Sequence, residues 1–134
     1  MQTTDTTPIS DVQAARRRTL PALLLRVEGL ALLAGAVAVY YNQGWSWLAF
    51  ALLLLAPDVS MLGFVAGPRT GALAYNVIHT TALPLAVLGV SLLADIPTGT
   101  QIAVVWLAHI GMDRTVGYGL KYPSAFKDTH LQRV

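Results

Sequence analysis

Five residues able to do acid–base or metal chemistry interrupt an otherwise apolar chain: Glu28, Asp58, His79, His109 and Asp113. Carboxylates and imidazoles give and take protons near neutral pH. A low-dielectric surrounding disfavours the charged form of each, which moves both proton affinities toward neutrality. Asp58, His79, His109 and Asp113 also make up a nitrogen–oxygen donor set suited to zinc or iron. No HExxH or comparable metal signature accompanies them, so the sequence requires no cofactor and is compatible with a divalent metal. Polar and aromatic neighbours fall at helical spacing. Tyr75 and His79, His109 and Asp113, and Arg114 and Tyr118 are four apart, and Asn76 and His79 are three apart; each such pair shares a helix face. Arg26, Tyr75, Asn76, Trp106, Arg114 and Tyr118 are thus the candidates for substrate contact.

Each residue also has a plainer reading. An intramembrane histidine can be a helix–helix hydrogen bond, and Glu28 can pair with Arg26 or Arg114. Asp58, after Pro57, can cap a helix restarting beyond a kink. Asp113 can be the counter-ion of a snorkelling Arg114. Tyr75, Trp106 and Tyr118 can be packing or interface aromatics.

The elements that must position these residues are membrane helices. Residues 29–57, 70–94 and 96–112 contain no Asp, Glu, Lys or Arg. A span needs about 20 mostly apolar residues. The first run is too long for one, and Tyr41-Asn42-Gln43-Gly44 marks a turn inside it. The expected spans are Leu20–Tyr41, Trp45–Ala66, Thr70–Leu93 and Thr100–Leu120. They form an all-α, integral membrane four-helix bundle with short loops (20–122). A mobile polar and basic tail (1–19) precedes it and a C-terminal tail (123–134) follows. Arg16-Arg17-Arg18 and Ala36-Val37-Ala38 imitate a secretory signal, but the apolar run exceeds an h-region and further spans follow.

All nine Lys and Arg residues fall in or beside the N-terminus, the second loop or the C-terminus. The positive-inside rule then places both termini in the cytoplasm of a multi-pass cell-membrane protein. At a rise of about 1.5 Å per residue, Glu28 and Asp58 lie roughly 12 Å from the cytoplasmic end of their helices. Asn76, His79, His109 and Asp113 lie roughly 10–16 Å in. Four helices therefore put an ionisable or strongly polar group in one layer. Such groups cost about 2.5–3.5 kcal/mol each near the bilayer centre, so they must face a bundle interior or a wet cavity. Small residues mark close contacts: Gly63, Gly67 and Gly71 are spaced by four but interrupted by Pro68, and Gly117 ends the last helix.

Composition excludes most alternatives. Hydrophobic residues make up 54% of the 134 residues and charged residues 12%, against about 25% charged in soluble domains. Without cysteine there is no disulfide, thiolate metal site or thiol nucleophile. There is no GxSxG and no phosphate-binding glycine loop. The pI near 9.2 follows from topology and needs no nucleic acid.

Several strings resemble the DUF4260 family of small bacterial membrane proteins. They are Leu25-Arg26-Val27-Glu28-Gly29, the stretch from Pro57-Asp58-Val59-Ser60 to Met61-Leu62-Gly63-Phe64, Gly67-Pro68 and Tyr75-Asn76-Val77-Ile78-His79. The last runs from His109-Ile110-Gly111-Met112-Asp113-Arg114 through Gly117-Tyr118-Gly119-Leu120-Lys121-Tyr122. Phe126 and Thr129-His130-Leu131 extend the likeness, which covers roughly residues 20–131; Phe64 stands where the pattern has Tyr. The resemblance implies a four-span protein and singles out the polar layer, and it supplies no reaction.

Three classes of function follow. The leading one is a membrane enzyme doing acid–base chemistry, with or without a metal, on a lipid-like or isoprenoid-like substrate: isomerisation, cyclisation or hydrolysis. The second is a dimeric proton-coupled or small-molecule transporter or binding protein. The third is a scaffold whose polar layer only specifies helix packing. The expected partners are membrane lipids, that small molecule and a second copy of the chain.

Overall fold

The computed structural model describes residues 19–123 and 129–133. The elements are α1 (Leu20–Asn42), α2 (Trp47–Leu55), a 3₁₀ helix (Ala56–Ala66), α3 (Pro68–His79), α4 (Ala82–Leu93), α5 (Pro97–Val116) and the one-turn α6 (His130–Arg133). Among the described residues there is no strand, only an isolated antiparallel bridge between Lys121 and Thr129. Arg16, Arg17, Arg18, Phe126 and Lys127 lie outside the described residues, as does almost all of the expected N-terminal tail.

Helix starts follow local chemistry. Thr19 Oγ1 and Ser46 Oγ each accept the backbone N–H three residues on, at 3.4 Å, the role of an N-cap. Pro21, Pro68 and Pro97 open their helices, where a missing N–H costs nothing. Gly117 closes α5 in the left-handed conformation, φ 101°, which a residue with a Cβ adopts only with strain.

Three helical stretches are long and apolar enough to cross a membrane: Leu20–Asn42, Trp47–Ala66 and Pro68–Leu93. The sequence reads α5 as a fourth span like the others; the structure distinguishes it by its burial. Helix α5 is the buried centre, packed by α1, α2 and α4, with Ala103, Val105, Ala108 and His109 wholly covered. Its neighbours take the outer position, leaving Leu23, Leu48, Leu52 and Leu92 more than half exposed. A sheathed helix can carry Gln101, His109, Asp113 and Arg114; an outer one would have to set them against lipid.

Helices α1 and α5 meet backbone to backbone. A Cβ on Gly111 would stand 2.6 Å from Leu33 N and 2.7 Å from Gly29 O, and one on Gly29 would stand 2.9 Å from Gly111 O. This is the small-residue contact of membrane helix pairs. At the far end of α1, buried Tyr40 donates to the Ser46 carbonyl (2.6 Å) and accepts from Gln101 Nε2 (2.9 Å). Its ring packs on Trp45, Trp47 and Phe50.

Two of the expected spans are broken. After Leu55 the second tightens into eleven residues of 3₁₀ helix, a length rarely sustained. The third breaks at Thr80, which is extended (φ −78°, ψ 135°). Pro84 follows: in an unbroken helix its ring would collide with the Thr80 carbonyl. Beyond α5, the chain returns to the bundle. The His130 N–H donates to Leu120 O (2.9 Å), and His130 Nδ1 accepts the Leu120 N–H (2.8 Å). Burial, reinforced by the Arg114 charge, holds the His130 imidazole below its ordinary proton affinity, which suits an acceptor.

Candidate functional site

The two helix breaks build the site. In a 3₁₀ helix each carbonyl accepts from the N–H three residues on. For Leu54 that residue is Pro57, which has no N–H. The orphaned Leu54 carbonyl is taken by His109 Nδ1 at 2.6 Å. The break after α3 leaves the last carbonyls of that helix open. Trp106 Nε1 donates to Ile78 O (2.7 Å) and Arg114 donates to His79 O (3.4 Å). His79 Nδ1 sits 2.9 Å from Tyr75 O, and the Tyr75 ring stacks on the His79 imidazole at 3.7 Å.

A carbonyl can only accept, so Nδ1 of each histidine carries the proton. Both Nε2 atoms therefore point inward, 3.1 Å apart. Asp58 Oδ1 lies 3.4 Å from His109 Nε2 and 3.7 Å from His79 Nε2. Asp113 Oδ2 lies 3.3 Å and 3.6 Å from the same atoms and accepts from Tyr75 Oη at 3.4 Å. The four donor atoms all fall within 4.8 Å of one another. The histidines are buried, Asp113 is nearly so, and the Asp58 side chain is 41% exposed.

Asp58 is the opening. At three residues per turn, side chains three apart eclipse one another, so Leu55, Asp58, Met61 and Phe64 form one row, with Val59, Leu62 and Val65 beside it. Together they line an open groove of about 640 Å³ in which Asp58 is the single ionisable residue. The inner face of the same helix carries buried Pro57 and then Gly63, set against Ala74 and Gly71.

The other expected site residues are placed elsewhere. Glu28 is exposed on α1 and does not reach the cluster. Equal depth along a helix axis fixes no direction around it, and here the Glu28 side chain faces outward. Asn76 clasps the backbone of Lys121, donating to its carbonyl (2.7 Å) and accepting its N–H (2.6 Å). Arg26 lies against Gly117 at the end of α5, Tyr118 is exposed, and Trp106 lines a second apolar pocket of about 220 Å³ beside Pro57 and Ile78. Lys121 escaped the sequence reading. Its Nζ lies 4.7 Å from the Tyr75 ring centre and 5.5 Å from that of Phe64, a cation–π arrangement that Asn76 holds in place. A lysine one residue past the expected span gives no such signal.

A helical bundle of membrane character around a buried two-histidine, two-aspartate centre defines the class of the molecule. The chain belongs to the DUF4260 family, a domain of unknown function, whose model matches residues 22–134. No curated protein and no solved structure matches it.

Proposed function

We propose that this chain is a small integral membrane enzyme that moves protons on a lipid-like or isoprenoid-like substrate. One observation carries the reading: Asp58 belongs to the polar cluster and to the wall of an apolar groove on the outer surface. A hydrocarbon chain can lie along Leu55, Val59, Leu62 and Val65 while its reactive end meets Asp58 and, behind it, His109 and His79. Both cluster contacts of Asp58 use Oδ1, so Oδ2 is outside them and can meet substrate. Isomerisation or cyclisation of a polyene needs one proton given at one carbon and one taken at another, with no co-reactant. Hydrolysis would add one water.

All four expected spans cross the bilayer in this reading, with both termini cytoplasmic and the cluster in the cytoplasmic half, which the placement of Lys and Arg supports. The chain has no cysteine, so single-cysteine labelling is clean. Gln43→Cys is expected to react with an impermeant maleimide from outside and Arg69→Cys only from inside. Reaction of both from one side would refute the topology.

The function is tested on lipids. Membranes of cells making the parent or His109→Gln are extracted and compared by mass spectrometry. The expected result is an apolar species that changes with the parent alone and co-purifies with it in detergent. Identical lipid profiles, with no amphiphile retained by the parent, would overturn the reading in favour of a packing device.

A further inference from the structure

We propose that His79 Nε2, His109 Nε2 and one oxygen each of Asp58 and Asp113 coordinate a divalent first-row metal ion of the zinc class. The inference concerns the centre of the proposed function and adds its cofactor, but it is decided by metal content and not by turnover.

Four acceptors converge without a donor among them. Each Nδ1–H is committed to a backbone carbonyl, at 2.9 Å for His79 and 2.6 Å for His109, so in the neutral ring each inward Nε2 presents a lone pair. Two lone pairs 3.1 Å apart, joined by two carboxylate oxygens, repel one another unless something positive sits between them. One proton can bridge only two of the four atoms. One divalent cation attracts all four and balances both carboxylate charges.

The spacing suits a small tetrahedral ion. Ligands bonded at about 2.0–2.1 Å stand about 3.3–3.4 Å apart along a tetrahedral edge. Five of the six separations are 3.1, 3.3, 3.4, 3.6 and 3.7 Å, and the sixth, between the two carboxylate oxygens, is within 4.8 Å, so the carboxylates would close on a bound ion. Two imidazoles in the set favour zinc or iron over calcium or magnesium, which prefer oxygen alone.

The surroundings are those of a metal site. Ligating histidines characteristically donate the other ring N–H to a carbonyl, which fixes the tautomer and ring angle. Here the Leu54 carbonyl adjoins the start of the 3₁₀ helix and the Tyr75 carbonyl lies within α3, one turn before its end, and Tyr75 Oη further orients Asp113. The histidines are 3% and 0% exposed, while Asp58 opens on the groove. The ion would supply Lewis acidity and an activated water at that opening.

The test uses the full chain in detergent. Protein purified without chelator is expected to contain about one first-row divalent metal per chain, the stoichiometry of a single four-ligand site. Chelator-treated protein titrated with Co²⁺ should develop the intense visible absorption of four-coordinate cobalt and saturate at the same ratio. His109→Ala and Asp113→Ala should lose it, and Gly35→Ala, with open space around it, should keep it. Should the site variants fail to fold, the parent alone decides: Zn²⁺ should raise its melting temperature and Ca²⁺ should not. No cobalt spectrum and no Zn²⁺ shift in the parent, equal metal in His109→Ala, or the weak spectrum of six-coordinate cobalt would each overturn the assignment. A cluster-dependent lipid product made by metal-free protein would overturn it while leaving the proposed function standing. Bound metal with no lipid change would do the reverse.

Discussion

Under the proposed function, Asp113→Asn is expected to lower turnover of the proposed lipid-like substrate by about 10²-fold or more, the usual range for loss of a proton-transferring group, while leaving chelator-treated protein no less stable than the parent. Asparagine keeps the shape of aspartate and an oxygen to accept from Tyr75 Oη, now at 3.4 Å. It removes a negative charge from a site that is largely covered. A group placed for chemistry costs stability, so its neutralisation is neutral or stabilising. A group placed for packing behaves in the opposite way: breaking a buried ion pair costs about 3–5 kcal/mol. The measurements are thermal unfolding in detergent and conversion of the species identified by lipid comparison. A variant that melts far lower while converting lipid at the parent's rate would reassign the centre to a structural role.

Gly111→Val is expected to be the most destabilising single change in the bundle. The new side chain would meet Leu33 N and Gly29 O at 2.6 and 2.7 Å from its Cβ alone, and both are backbone atoms of α1 that no rotamer change can clear. Overpacking a core costs about 1–3 kcal/mol and occasionally more; a branched side chain between two helix backbones belongs at or above the top of that range. The damage also reaches the centre, because His109 and Asp113 flank Gly111 and move with any displacement of α5. Thermal unfolding and metal content should fall together. Gly35→Ala, which meets nothing within 4 Å, should gain up to about 1 kcal/mol from helix propensity. A Gly111→Val protein with the parent's melting temperature and metal content would show that α1 and α5 do not pack this closely.

Asp58, His79, His109 and Asp113 were legible as a group because ionisable residues are rare in apolar runs and these shared a depth. Glu28 shared that depth too, yet points away. In helices apolar on every side, sequence offers little to say which way a residue faces. Pro57 was legible as a kink. Its consequence was not, since which carbonyl a proline orphans depends on whether the turn is α or 3₁₀, and only the 3₁₀ form releases Leu54 to His109. The break at Thr80 fell inside a stretch apolar enough to pass as one span. The central position of α5 had a signal in Gln101, His109, Asp113 and Arg114 clustered on one helix, which fits a helix shielded by its neighbours better than one facing lipid.

The sheathed position of α5 has a consequence for how the protein is made. The three outer stretches precede it in the chain, and each is apolar enough to partition into the bilayer as it leaves the ribosome. Helix α5 follows them and carries groups that would cost about 2.5–3.5 kcal/mol apiece near the bilayer centre. In the proposed four-span arrangement its entry is favourable only into a berth that α1, α2 and α4 have already formed. Two of the four polar groups, His109 and Asp113, arrive with it. The centre therefore closes only after α5 has been made, and a chain truncated before residue 97 would hold half a site.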